Sequence, residues 1–267
     1  NTDYHEASVA ITNDGRTMYF TRDNVNKRNK LKYDNKGTTH LKLYKANLID
    51  RKWSDVKELP FNDKVFSTGH PALSADNKTL FFVSDRNGGI GQTDIYKVAI
   101  KDDGTYGQPQ NLGESINTEG REMFPFVSKD STFYFSSDGY LNLGLLDIFK
   151  SDILKGFDSE PENLGAPFNS GYDDFAFFIN VESQKGYFSS NRPGGKGSDD
   201  IYSFNSTICK EQITGVARDT KTSIILTGVT IRLIDETGKV LEEVITKEEG
   251  KFTFMVDCDK TYTITGK

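Results

Sequence analysis

The sequence predicts an all-β protein in which four β-propeller blades are followed by a small immunoglobulin-like β-sandwich. Three observations carry that prediction. FFVSDRNGGIGQTDIY (81–96), YFSSDGYLNLGLLDIF (134–149) and YFSSNRPGGKGSDDIY (187–202) lie over one another without a gap. Phe82, Phe135 and Phe188 fall 53 residues apart, and so do Gly91, Gly144 and Gly197, and Asp94, Asp147 and Asp200. A period of this size marks one supersecondary unit stacked several times, as in propeller blades. The segments between turns alternate apolar and polar residues, with turn signals at roughly 8–12-residue spacing, and no window sustains a helical i, i+3, i+4, i+7 stripe. After Phe204 the period stops and a different alternating pattern begins.

Each copy reads as four short strands. The first is ASVAIT (7–12), HPALS (70–74), MFPFVS (123–128) or FAFFIN (175–180). A polar turn leads to the second strand, which carries the recurring Phe. A Gly-rich hairpin then leads to a third strand opened by the recurring Asp. The fourth begins near Trp53, Tyr106 or Phe157 and ends in ELPFN, NLGESIN or NLGAPFN. The earliest copy is weaker: TMYFTRDN (17–24) matches the Phe strand and HLKLYKANL (40–48) the third, with Lys42 in the place of the Asp. A basic insertion within NVNKRNKLKYDNKGTT separates them and reads as a long exposed hairpin loop. Asn1-Thr2 matches Asn117-Thr118 and Asn169-Ser170, which close a preceding blade. The chain is therefore expected to start inside a repeat array, leaving apolar side chains exposed on the outer face of its first blade.

These readings divide the chain into a partial propeller (1–204), a polar linker (205–212) and a sandwich (213–267). In the last segment ITGVARD, VTIRLID, VLEEVIT, KFTFMV and YTIT are separated by turns such as DETGK and KEEGK, the pattern of a small two-sheet domain.

Composition excludes some functions. The chain of 267 residues carries 33 Lys and Arg against 39 Asp and Glu, a net charge of −6, with no long basic run. That argues against a nucleic-acid or anionic-membrane partner. No stretch approaches the ~18 apolar residues of a membrane span, and no signal peptide is visible.

The blade motif S-D-x-x-G-G-x-G-x-x-D-I-Y, with N-L-G-x-x-I-N after it, resembles the TolB-type propeller repeats of OmpA-family proteins from Bacteroidota. The tail, ITGVARD (213–219), VTIRLID (229–235) and GKFTF (250–254), resembles the carboxypeptidase-regulatory-like domain that follows the propeller in that family. The resemblance implies a six-bladed ring with two blades upstream, a helical-repeat segment before it and a peptidoglycan-binding domain after it. It also implies a periplasmic location at the outer membrane, as in members of the family associated with type IX secretion.

Candidate sites are few. GGKGSDDIY (194–202) fits a calcium-binding nonapeptide, but such repeats occur in tandem. The glycines equally serve a hairpin, with the Asp capping its turn. Glu6, Glu122, Asp173 and Asp174 precede the innermost strands, where the second blade offers Thr68. In a propeller these positions converge on one channel mouth and would hold a cation or a basic partner segment, or form a solvated rim. His5, His40 and His70 show no zinc spacing, and there is no G-x-S-x-G elbow. No cofactor, metal or catalytic residue is predicted. Cys209, entering the sandwich, and Cys258, before its last strand, would meet in a disulfide if the terminal strands are adjacent; otherwise they are two buried thiols. The expected function is a non-catalytic periplasmic scaffold that docks a protein partner of an outer-membrane complex through the propeller. Its anchor would be a peptidoglycan-binding domain outside this chain. The alternative is a carbohydrate-active or peptidase-like propeller using the acidic rim.

Overall fold

Alternating side chains let each short segment bury one face of a pleated strand, and turns rich in Gly, Asp and Asn end it after a few residues. The computed structural model describes residues 6–26, 28, 30–157, 160–207, 209–258 and 260–267. The matches at Asn1-Thr2 and the residue His5 lie outside the described residues. The chain forms two units, Asn1–Asn205 and Ser206–Lys267.

In the first unit β1 (Glu6–Ile11), β2 (Thr17–Asp23), β3 (Leu41–Ile49) and β4 (Lys52–Glu58) form an antiparallel sheet in that order. A second contains β5 (Thr68–Leu73), β6 (Thr79–Ser84), β7 (Asp94–Ala99) and β8 (Gln110–Asn111). A third contains β9 (Glu122–Val127), β10 (Phe133–Ser137), β11 (Asp147–Ser151) and β12 (Glu162–Asn163). The fourth has three strands, β13 (Asp174–Asn180), β14 (Lys185–Ser190) and β15 (Asp200–Asn205). The fold is all-β and propeller-like, with the sheets as blades. The fourth strand expected of every copy does not form in the last blade, because the chain passes from β15 into the second unit.

Consecutive blades pack face to face: β5 lies on β1, β2 and β3, β9 on β5, β6 and β7, and β13 on β9, β10 and β11. Phe82, Phe135 and Phe188 are 0, 1 and 6 % exposed, and each faces the preceding blade. Phe82 clusters with Tyr19, Leu43, Leu59 and Phe61, Phe135 with Ala72, Phe81, Val83 and Ile95, and Phe188 with Ile148. Among the described residues no comparable packing joins the fourth blade to the first. The first blade's outer face carries the expected exposed apolar side chains, Val9, Ile11, Leu48 and Trp53 being 59, 47, 40 and 38 % exposed on the side of Phe20, although its central pair is covered. Phe20 and Tyr44 are 8 and 6 % exposed, because their rings stack at 5.7 Å and Arg22 lies 4.3 Å from the Tyr44 ring centre.

The recurring polar residues fix each blade's corners. Asp94 accepts the backbone N–H groups of Ile90 (2.6 Å) and Gly91 (3.0 Å) and the side-chain amide of Asn111 (2.8 Å). Asp147 repeats this with Leu143, Gly144 and Asn163, and Asp200 accepts from Lys196 and Gly197. Asn117 stands in for a missing strand: it accepts the Ile95 N–H at 2.8 Å and donates to the Ile95 carbonyl at 3.0 Å. Asn169 treats Ile148 in the same way, and Asn62 treats Leu43. In the first blade Lys42 replaces the Asp and pairs instead with Glu58. The inserted loop is largely exposed, as expected, and is anchored where it meets β3, at buried His40, which is bonded to Asp34 at 3.1 Å.

The second unit holds β16 (Lys210–Val216), β17 (Thr230–Ile234), β18 (Val240–Ile245), β19 (Lys251–Asp257) and β20 (Thr263–Gly266). β16 pairs with β19, and β18, β17 and β20 form the other sheet. Ile231, Leu233, Phe254 and Val256 make their shared core. The segment 205–212 is linker only in part. Asn205 ends β15, and Lys210, Glu211 and Gln212 are ladder residues opposite Asp257, Val256 and Met255. Cys209 and Cys258 form a disulfide with Cα atoms 5.4 Å apart. It extends the β16–β19 ladder, so the partner is the penultimate strand rather than the last.

Candidate binding cavity and the acidic positions

The first strand of every blade is the edge of its sheet, and all four edges surround one cavity of about 820 Å³. Each edge is bulged at an equivalent residue. Ser8, His70, Phe124 and Ala176 have φ of 48°, 48°, 51° and 53°, and pairing with the second strand slips at each point. None is glycine, so each holds a left-handed backbone that costs of order 1–3 kcal/mol. A bulge breaks the strict inward–outward alternation, and all four residues line the cavity.

The cavity is mostly apolar. Val9, Pro71, Leu73, Phe126, Phe178 and Ile179 contribute to its wall, with Val9 and Phe178 59 and 45 % exposed. His70 stacks on Phe124 with ring centres 4.1 Å apart, and Phe124 continues to Phe175 at 4.9 Å. The His70 Nδ1 accepts the Phe124 backbone N–H at 3.3 Å, which leaves the ring hydrogen on Nε2. Burial pushes the His70 pKa down to about 4, so the ring is neutral at pH 7. At one rim the blades are tied in pairs. The Asn13 N–H donates to Asn77 at 2.7 Å, and Lys129 pairs with Glu182.

The acidic positions do something else. Glu6, Thr68, Glu122 and Asp174 are the first residues of the four edge strands. Glu122 is fully buried and accepts the Thr118 N–H (2.9 Å), the Thr118 hydroxyl (2.6 Å) and the Ser137 hydroxyl (2.7 Å). Burial pushes its carboxyl above the usual glutamate range, against the pull of those donors. Asp174, also fully buried, accepts the Ser170 N–H and hydroxyl at 2.7 Å and the Arg192 guanidinium at 2.5 Å. Asp173 accepts the Leu146 N–H (3.1 Å) and the Asn191 amide (2.8 Å), and Glu6 lies 3.8 Å from Arg22. None of the four acids lines the cavity. The expected acidic channel mouth is thereby corrected: Glu122 and Asp174 cap the turns that carry the chain between blades, and local donors take up their oxygens. The sequence held the signal, a hydroxyl four residues earlier in Thr118-x-x-x-Glu122 and Ser170-x-x-x-Asp174. Of Glu6, Glu122 and Asp173, the rim offered for the hydrolytic alternative, Glu122 alone is fully buried.

Asp94, Asp147 and Asp200 likewise face backbone N–H donors, which suit a carboxylate and repel a calcium ion. Among the described residues no group of three or more His, Cys, Asp or Glu is placed to hold a metal. His70 carries the most distinctive chemistry of the cavity, and sequence reasoning missed it because the bulge has no glycine to announce it.

No family model and no curated protein matches the chain. Its fold is similar to several solved structures at low identity. A puromycin-hydrolysing peptidase of Mycobacterium tuberculosis gives a TM-score of 0.45 at 14 % identity, over 88 % of this chain and 33 % of that one. A protein assigned as TolB from Agrobacterium tumefaciens gives 0.43 at 14 % identity, over 96 % of this chain and 91 % of that one. An α-L-arabinanase of Penicillium chrysogenum, complexed with arabinobiose, gives 0.44 at 14 % identity, over 76 % and 58 %. The chain thus spans a third of the length of the peptidase.

Proposed function

We propose that this chain is a non-catalytic binding module that takes an extended, apolar segment of a protein partner into the cavity between its blades. One observation carries the reading: four bulged edge strands surround a single apolar cavity. An edge strand offers backbone N–H and C=O groups to an extended peptide, while apolar side chains between them supply pockets. The rigid stacked blades hold those edges in place. On this reading the chain serves as a scaffold or adaptor, and we place it in the periplasm at the outer membrane. The Cys209–Cys258 disulfide supports an oxidising compartment. The motif resemblance to OmpA-family propellers supports the outer-membrane complex, type IX secretion included, with peptidoglycan bound by a domain outside this chain.

A displayed library of extended peptides tests the binding reading. Selected peptides should be rich in apolar residues, and their binding should fall at least about tenfold, ~1.4 kcal/mol, with Val9→Lys or Phe178→Lys. Both side chains are half-exposed cavity residues, so these changes spare the core. Selected peptides indifferent to both substitutions, or hydrolysis of peptides or arabinan by the purified chain, would overturn it.

A further inference from the structure

The first residue of each edge strand sits at a corner of its blade, and three of the four are acids: Glu6, Glu122 and Asp174, with Thr68 in the second blade. In the fourth blade the corner acid meets an arginine. Asp174 lies opposite Ser190 in the ladder, and Arg192, two residues on, returns to pair with Asp174 at 2.5 Å. A cradle holds the guanidinium there. Its Nε donates to the Ser190 hydroxyl at 3.0 Å and its Nη2 to the Phe168 carbonyl at 2.6 Å. Its central carbon lies 5.0 and 5.3 Å from the ring centres of Phe188 and Tyr202.

The second blade builds the same cradle and leaves out the acid. Thr68 lies opposite Ser84, and Arg86, two residues on, donates from Nε to the Ser84 hydroxyl at 3.1 Å and from Nη2 to the Phe61 carbonyl at 3.2 Å. Its central carbon lies 5.1 and 4.8 Å from the ring centres of Phe82 and Tyr96, and Phe66 adds a third ring at 4.9 Å. Among the described residues no carboxylate pairs with Arg86, and its Nη1 has no hydrogen-bond partner. The Thr68 hydroxyl is buried and also lacks a partner. Asp85, the adjoining acid, is exposed to water and turns its Oδ1 to the Ser67 N–H at 2.6 Å. The third blade keeps the acid and drops the arginine: Gly139 takes that place, and local donors satisfy Glu122.

A guanidinium drawn out of water costs free energy until an anion meets it, and aromatic faces offset only part of that cost. Burial pulls the Arg86 pKa below the usual arginine value, in keeping with a cation short of counter-charge. The side chain is half-buried, so a ligand reaches it from solvent. We propose that Arg86 binds a carboxylate supplied by another molecule, in the role that Asp174 fills for Arg192. A carboxylate suits the site because its two oxygens match the planar fork of N–H groups that the cradle leaves free. The site is separate from the cavity, which neither Thr68 nor Arg86 lines.

The probe is sodium acetate exchanged for sodium chloride at constant ionic strength, and the readout is the urea midpoint of the Trp53 transition. The midpoint should rise with acetate and saturate, as for a ligand that binds only the folded chain. Arg86→Gln should abolish the rise, and Arg86→Lys should weaken the apparent affinity at least about fivefold, because an ammonium has no fork. Thr68→Asp writes the Asp174–Arg192 pair into the second blade; it should raise the midpoint in chloride alone and remove the response to acetate. Should Arg86→Gln fail to fold, the other two variants decide. Two short peptides, one with a single Asp side chain and an amidated end, the other with a free C-terminal carboxylate, are titrated beside acetate. Binding at least about tenfold tighter than acetate, and dependent on Arg86, identifies a protein partner as the source; binding equal to acetate identifies a small acid. No rise in the wild type, an equal rise in wild type and Arg86→Lys, or a full response in Thr68→Asp would overturn the proposal.

Discussion

Replacing Phe135 by Ala should remove about 3–5 kcal/mol from the stability of the first unit, while the same change at Phe20 should remove about 1–2 kcal/mol. Both phenylalanines hold the same place in the repeat, so the contrast isolates what packing between blades contributes. Phe135 is 1 % exposed, lies within 6.0 Å of the rings of Phe133, Tyr140 and Phe149, and meets Phe81, Val83 and Ile95 of the preceding blade. Losing a fully buried ring forfeits roughly 1.5–3 kcal/mol of transfer free energy. The rest comes from a cavity walled by two sheets, which cannot collapse together without moving a whole blade. Phe20 touches Met18, Tyr44 and Ala46 of its own sheet, so the gap it leaves is open on one side and fills more easily. Urea unfolding measures the difference. The protein's one tryptophan, Trp53, lies on β4, so its fluorescence reports the first unit without a signal from the second. A loss below ~1 kcal/mol for Phe135→Ala, or equal losses at the two sites, would refute inter-blade packing as the main source of stability.

Asn117→Ala should cost about 2–4 kcal/mol, because it strips partners from both buried backbone groups of Ile95, and hydrogen exchange at the Ile95 amide should accelerate with it. Changing Cys209 and Cys258 to Ser together should lower the second unit's stability by about 4 kcal/mol, from the loop their separation of 49 residues closes. Calorimetry should show that transition falling while the Trp53 transition stays in place. His70 makes stability depend on pH. The unfolded chain gains a proton below about pH 6.5, whereas the folded chain resists it until about pH 4. Stability should therefore fall as pH drops through that window, by up to about 3 kcal/mol. His70→Phe should flatten this slope; because burial raises the Glu122 pKa and so acts in the opposite sense, the comparison is the difference between the two proteins. An unchanged slope would show that the His70 ring takes up its proton as readily folded as unfolded.

The parts of the fold that were legible are those where every blade needs the same residue for the same reason. Phe82, Phe135 and Phe188 recur because each sheet must fill the same gap, and Asp94, Asp147 and Asp200 recur because each hairpin offers the same N–H groups. The acidic row was visible as a row, but its direction was not. Only the hydroxyls of Thr118 and Ser170 show that Glu122 and Asp174 turn inward to the loop. The start of β16 was hidden because Lys210, Glu211 and Gln212 are exposed ladder residues and read as linker. The bulges were invisible for a different reason. A left-handed residue usually announces itself as Gly or Asn, and here the positions hold Ser8, His70, Phe124 and Ala176.

That freedom of side chain at the bulge has an evolutionary consequence. Apart from the His70–Phe124 stack, the bulge residues take no part in the clusters through which Phe82, Phe135 and Phe188 pack one blade on the next, so they can change without disturbing those clusters or the Asp and Asn corners. Scaffold and cavity wall are thus separable under mutation. A duplicated blade would inherit its corners intact and bring one more unconstrained position to the wall of the cavity. Selection could then alter the cavity wall one blade at a time, at four sites that already differ in size, polarity and aromaticity, while the architecture around them stays the same.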